Sequence, residues 1–164
     1  MTIAESLLAE LEVEMKSTRK LLERVPEANG VWKPHEKSRT LGEIATHVAA
    51  IPVWGERVVK HDEFDIGGNF ARPAPFSTTA ALLELFDRNV KAAREALAGV
   101  PDSLLTQTWT LKAGANTVFS RPRADVLRSM MISHHIHHRG QLTVYMRLLD
   151  IPIPGMYGPS ADER

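Results

Sequence analysis

The chain contains no cysteine in 164 residues. That excludes a disulfide framework and cysteine-based zinc chemistry, so any metal must be held by nitrogen and oxygen donors. It also lacks a charge excess, with Lys+Arg and Asp+Glu at 20 each. A formally neutral chain has no broad electrostatic footprint for nucleic acid, and no nucleic-acid partner is expected. No apolar run approaches the length needed to cross a bilayer. The opening Met1-Thr2-Ile3-Ala4-Glu5 has no basic region of the kind that starts a secretory signal. The expectation is a cytoplasmic protein without a membrane partner. Also missing are G-x-S-x-G, the phosphate-binding P-loop and G-x-G-x-x-G.

What is present is ordinary globular material: 43% hydrophobic and 24% charged residues. The length suits a single domain, 1–164, able to bury a core without staples. Apolar residues recur at steps of three or four through Ile3, Leu7, Leu11, Met15, Thr18, Leu22 and Val25. This predicts a first amphipathic helix, ended by Pro26. Thr40-Leu41-Gly42-Glu43 reads as a capping box for a second helix with Ile44, His47, Ile51, Trp54 and Val58 on its apolar stripe. Pro52 removes one helical bond and should kink it. Residues 61–76 read as loop. A third helix, capped by Ser77, Thr78 or Thr79, carries Leu83, Phe86, Val90, Ala93 and Leu97, and ends at Gly99 and Pro101. Between 101 and 120 the period changes, and Gly114 and Asn116 suggest a short β-hairpin or an ordered loop. A fourth helix should run over 122–149, followed by an extended strap containing Pro152, Pro154 and Pro159. The expected fold is all-α, a four-helix bundle with that short hairpin between helices three and four.

The residues richest in chemistry lie in the fourth helix, in Ser133-His134-His135-Ile136-His137-His138-Arg139-Gly140-Gln141. At about 100° per residue, His134 and His138 share a face with Leu127, Met131 and Tyr145. By the same count His135 should lean toward solvent or a flank, and His137 should sit on the opposite flank. A single inward histidine such as His47 is ordinarily a hydrogen-bonded core residue, and H-x-x-x-H alone is not specific. Three imidazoles on inward stripes of two helices are harder to explain without an ion, because unpaired buried imidazoles are costly. Bundle cores do hold metals between facing helices, and three protein ligands leave a position open for water or substrate. Glu43, one turn before His47, is either a carboxylate that orients it or simply the helix cap. The metalloprotease pattern H-E-x-x-H is not matched, since position 135 is histidine rather than glutamate.

In these features the chain resembles the DinB/YfiT-like family of metal-binding four-helix bundles. The carrying residues are Thr46-His47-Val48, His134 to Leu142, and the tail Gly155-Met156-Tyr157-Gly158-Pro159-Ser160. The resemblance spans the whole chain. It implies a divalent ion, often zinc or nickel, held by three histidines that map to His47, His134 and His138. It implies that homodimers are common. Characterised relatives include transferases and isomerases that use low-molecular-weight thiols such as mycothiol or bacillithiol, and others are described as metal-dependent hydrolases. The family name refers to DNA-damage induction and does not imply DNA binding.

Three functions are therefore expected to compete. The first is a metal-dependent enzyme, a thiol-dependent S-transferase or a hydrolase, acting on a small-molecule substrate. In it Trp54, Gln141 and Tyr145 would line the pocket and a low-molecular-weight thiol would be cosubstrate. The second is a non-catalytic metal-binding or stress-response protein, with a closed coordination sphere or a site blocked by Pro152–Pro159. The third is a helical interaction module whose core histidines hold no ion. No catalytic residue beyond the three candidate ligands is assigned.

Overall fold

The computed structural model describes residues 1–68 and 70–163; Asn69, within the expected loop, and Arg164 lie outside the described residues. Helix α1 spans Ile3–Leu22 and opens on a reciprocal cap. The Glu5 amide donates to the Thr2 hydroxyl at 3.1 Å, and the Thr2 amide donates to the Glu5 carboxylate at 2.7 Å. This satisfies two of the donors that every helix start leaves orphaned. Thr40 and Glu43 do the same for α2, Leu41–Ala50, so Glu43 is a cap rather than a partner of His47. Pro52 does more than kink the second helix. The chain turns at Ile51 and restarts as α3, Val53–Lys60. Thr78 caps α4, Thr79–Leu97, which buries Leu82, Phe86, Val90, Ala93 and Leu97. The expected stripe is confirmed except at its first residue, where Leu82 rather than Leu83 is buried.

The fold is mostly helical but is not a pure four-helix bundle. A short α5, Asp102–Leu105, leads into strands β2, Thr108–Ala113, and β3, Asn116–Pro122, which form the expected hairpin. Gly114, at φ +61°, has the φ that a two-residue II′ loop asks of its first central position. The unexpected element is β1, Glu63–Asp65, inside the segment expected to be loop. It pairs in parallel with β2, in the register Glu63–Thr110, Phe64–Leu111 and Asp65–Lys112. The sheet order is β1-β2-β3. Asp65 secures the edge by accepting from the amides of Gly67 and Gly114, each at 2.8 Å. Trp109 turns inward from β2, fully buried, against Trp54 of α3. Arg123, 2% exposed, joins the end of α3 to the sheet. It donates to the carbonyls of Val58, Thr108 and His61 and pairs with the Asp62 carboxylate.

The fourth helical arm has three parts. They are α6 at Arg123–Val126, a π-helical turn at Leu127–Ser133, and α7 at His134–Leu148. A π turn holds more residues than an α turn, so it rotates everything after it relative to a continuous α-helix. The buried line accordingly runs Leu127, Met131, Ile132, His135, Arg139, Leu142 and Met146. The continuous-helix expectation, through His134, His138 and Tyr145, is displaced by one residue. The tail after Asp150 is extended as expected, with Pro154 buried and Ile153 and Met156 packed on the core.

A close approach of α3 and α4 explains one small residue. A Cβ at Gly55 of α3 would lie 2.6 Å from the Ala93 Cβ of α4 and 2.9 Å from the Met131 sulfur. Gly55→Ala should therefore overpack this contact and destabilise the protein by about 1–3 kcal/mol. Urea denaturation measures this. Adding Ala93→Gly should recover part of the loss, and an unchanged midpoint in Gly55→Ala would refute the packing account.

Candidate metal centre

Helix α2 packs against α7, which sets His47 opposite the histidine cluster. His47 Nε2 lies 3.3 Å from His134 Nε2, and His138 Nε2 lies 2.8 Å from the same atom. All three donor atoms fall within 4.8 Å of one another, each on a half-buried residue. The three histidines singled out in the sequence are thus brought together, although 87 residues separate His47 from His134.

They meet on a flank rather than on the core line. His134 and His138 face α2 from the side of α7, half-buried. His135, expected to lean outward, is fully buried. The rotation introduced by the π turn is the reason. His135 Nε2 hydrogen-bonds the Thr18 hydroxyl of α1 at 2.8 Å, and its Nδ1 has no partner. His137 is exposed and packs edge-on against His138, with ring centroids 4.8 Å apart.

The surroundings keep the imidazoles neutral. Burial pulls His47 down to about 3, assisted by the positive charge of Arg39 and by His138 and His134. His134 is lowered chiefly by burial, then by His138, while the Met130 carbonyl acts in the opposite sense. That carbonyl does not satisfy His134 Nδ1, which is buried without a hydrogen-bond partner. His138 is also lowered by burial, against the raising effect of Gln141. Gln141 Oε1 lies 2.7 Å from His138 Nδ1. With the amide oxygen accepting, His138 carries its proton on Nδ1 and turns a bare Nε2 toward the other two rings.

Of the other expected pocket residues, Trp54 lines a cleft and Gln141 instead orients His138. Tyr145 packs edge-on against Trp32 at 5.9 Å. The cleft has a volume of about 1210 Å³ and reaches the imidazole group at His47. Its outer wall is formed by residues 70–77, the part of the long linker that follows β1. Arg39 and Arg88 also line it, and sequence reasoning had singled out neither. The Pro152–Pro159 strap is not among the cleft-lining residues. It lies on α1 and α7, where the Ser17 hydroxyl donates to the Met156 carbonyl and the Tyr157 hydroxyl donates to the Glu14 carboxylate.

A mostly helical fold with a three-imidazole group between two helices, opening on a cleft, defines the class. The sequence model of the DinB family matches residues 1–164, and the chain belongs to that family. It is 30% identical over 159 residues to the uncharacterized protein YrdA of Bacillus subtilis (strain 168), covering 93% of this chain and 86% of that protein. A DinB-like protein from Bacillus cereus ATCC 10987 superposes with a TM-score of 0.71 at 28% identity, covering 93% of this chain and 97% of the other. A DinB-family structure from Exiguobacterium sibiricum 255-15 gives 0.71 at 19% identity over 100% and 99% of the two chains, a likeness of fold.

The burial of His135 predicts a pH-sensitive fold. Burial, reinforced by the Arg139 charge, lowers it to about 3. The unfolded chain takes up that proton near pH 6.5, whereas the folded protein does so only near 3. Stability from this group is therefore full above pH 6.5 and is lost as pH falls toward 3, by up to about 1.4 kcal/mol per pH unit. His135→Gln keeps a hydrogen-bonding side chain and removes the titration. In metal-chelated protein, the difference in unfolding free energy between pH 7.5 and 5.0 should be smaller in His135→Gln than in the parent. An equal difference would rule out His135 as a source.

Proposed function

We propose that His47, His134 and His138 bind one divalent metal ion, zinc or nickel, and that the protein is a metal-dependent enzyme acting on a small molecule in the adjoining cleft. The observation that carries this reading is the facing of three Nε2 atoms. Ligands about 2.0–2.1 Å from a tetrahedral ion stand about 3.3 Å apart, close to the spacing of His47 and His134. The 2.8 Å between His134 and His138 is shorter and fits a narrower ligand angle. With His138 Nε2 bare, the pair can share a proton only if His134 carries it on Nε2. That would leave His134 Nδ1 as a buried acceptor with no donor. With the proton on Nδ1 instead, two lone pairs face each other at 2.8 Å. A cation between them removes the conflict.

Bound there, such an ion would act as a Lewis acid, lowering the pKa of a thiol or water. The chain's own residues do the rest. Gln141 fixes the His138 tautomer, and burial together with Arg39 keeps the imidazoles unprotonated at neutral pH. His47 stands where the cleft meets the group. The reaction class we favour is a thiol-dependent S-transfer, with hydrolysis second, because a chain without cysteine must take any sulfur nucleophile from a low-molecular-weight thiol.

Untagged protein, loaded with zinc or nickel and dialysed, should hold about one ion per chain by elemental analysis. His47→Ala, His134→Ala and His138→Ala should each abolish stable retention. Gln141→Leu should weaken affinity about 10- to 100-fold, as expected for a residue that orients a ligand. Full retention in the three alanine variants would overturn the site. Turnover of thiol-transfer and ester substrates by the loaded protein, lost in His47→Ala, tests the catalytic part. A filled site with no turnover in either assay would favour a non-catalytic metal protein.

A further inference from the structure

The equal numbers of acidic and basic residues conceal an uneven distribution of charge. Six arginines pair with carboxylates on or beneath the surface: Arg19 with Asp87, Arg94 with Glu12, Arg123 with Asp62, Arg128 with Glu10, Arg139 with Glu14 and Arg147 with Asp162. The four arginines lining the cleft are different. Arg39, Arg57, Arg72 and Arg88 have no ion pair and no side-chain hydrogen bond among the described residues. They come from four separate places, before α2, in α3, in the 70–77 wall and in α4.

The two carboxylates on the same lining form no ion pair with them, although Glu43, lowered chiefly by the Thr40 amide, also feels the charge of Arg39. Glu43 closes the cap of α2, and Glu27 accepts from the Thr79 amide at the start of α4, at 2.9 Å. Both are held at helix N-termini, where the positive end of the helix offsets their charge. Arg57 is held by ring faces instead of by an anion. Its guanidinium carbon lies 4.4 Å from the centroid of Phe64, 5.3 Å from that of Trp54 and 5.5 Å from that of Phe70. Stacking of this kind fixes a guanidinium while leaving N–H donors free for a planar anion. Arg72 lies over Phe70 at 5.7 Å. Trp54, Phe70, Phe76 and Leu85 give the same cleft an apolar lining. Arg39 is close enough to the imidazoles for its charge to oppose protonation of His47, His134 and His138 alike.

We propose that the cleft binds an organic anion, a small molecule with a carboxylate or phosphate on an apolar body, whose anionic group is taken by Arg39, Arg72 and Arg88 while its body lies on Trp54 and Phe76. The guanidinium fork matches either oxyanion with two parallel N–H donors, and a neutral isostere would leave those charges unanswered. This rests on the metal-enzyme reading and narrows it, since it names the substrate class the cleft would take.

The test is a titration of the full-length protein, followed by NMR, with 4-phenylbutyrate, phenyl phosphate and the neutral 4-phenylbutyramide. It is run on zinc-loaded protein and on the His134→Ala variant, which is expected to hold no zinc. At least one anion should bind ten times or more tighter than the amide in both forms. The better of the two identifies the head group. That preference should fall about tenfold in Arg39→Gln, Arg72→Gln or Arg88→Gln, and Arg→Lys at the same position should restore part of it. Far-ultraviolet circular dichroism confirms that each variant is folded, and a variant that fails this check is replaced in the comparison by its lysine counterpart. Equal binding of acid and amide overturns the proposal. So does an anion preference that disappears in His134→Ala but survives every arginine substitution, since the metal alone would then bind the anion. Zinc content is measured separately. A chain that takes up no zinc but keeps the arginine-dependent preference defeats the metal reading and leaves the anion site standing.

Discussion

The ion pair between Arg139 of α7 and Glu14 of α1 fixes the rotation on which the candidate metal centre depends. Arg139 Nη2 lies 2.6 Å from the Glu14 carboxylate, with side-chain exposures of 2% and 12%. A guanidinium that deep costs several kcal/mol unless its donors are met. Here they are met by the Glu14 carbonyl at 3.0 Å, the Thr18 hydroxyl at 3.3 Å and the Tyr157 hydroxyl at 2.8 Å. His135, one turn earlier, bonds the same Thr18 hydroxyl. With His135 and Arg139 committed to α1, His134 and His138 lie about 100° around the helix, on the side of α2 and His47. The same network holds the C-terminal strap through Tyr157, on the α1 side and away from the cleft. Rotating α7 to bury His134 would expose or orphan Arg139, so the core pair holds the candidate ligands at the edge.

The π turn at Leu127–Ser133 reconciles two demands on one chain segment. Met131 in the π turn packs against Gly55 of α3, whereas His135 and Arg139 bond α1 through Thr18 and Glu14. A uniform 3.6-residue repeat cannot serve both, because it would run the buried line through His134 and His138. Adding residues to a single turn changes the phase without ending the helix. Imidazoles on the core line would have been sealed among Leu and Met side chains. Displaced by one position, they are half-buried, neutral and next to a cleft.

This explains which parts were legible in the sequence. Helices α1 and α4 follow the apolar period along most of their length, and the Thr40–Glu43 capping box lies within four residues, so local rules sufficed. The hairpin was signalled by Gly114 and Asn116. The group His47, His134 and His138 was legible because His134 and His138 share any helical face, whatever that face packs against. Which face it was depended on the π turn, and no local signal marks that, so His135 was assigned to the wrong environment. Strand β1 was hidden for a different reason. Glu63-Phe64-Asp65 is three residues long, and its partner β2 lies more than forty residues away. The cleft arginines were hidden by their dispersal over positions 39 to 88, since each alone reads as an ordinary solvated charge.

The division of labour among the charged side chains separates fold from site. Arg139 and Arg123 are buried, paired and spent on holding helix to helix and helix to sheet. The arginines along the cleft make no ion pair among the described residues, and only Arg57 is held in place, by three ring faces. The same holds for the imidazoles. His135 is satisfied at Nε2 by the protein itself, whereas His47, His134 and His138 turn Nε2 chiefly toward one another. Polar groups in a folded chain normally find partners within it. Here three facing imidazoles and four arginines without an ion pair border one concave surface, and a cation at one end with an anion along the wall would satisfy both sets at once. Arg39, which disfavours a proton on the imidazoles, would equally favour an anionic ligand approaching them. The charges that keep the nitrogen lone pairs free are therefore the ones that would draw a substrate toward them.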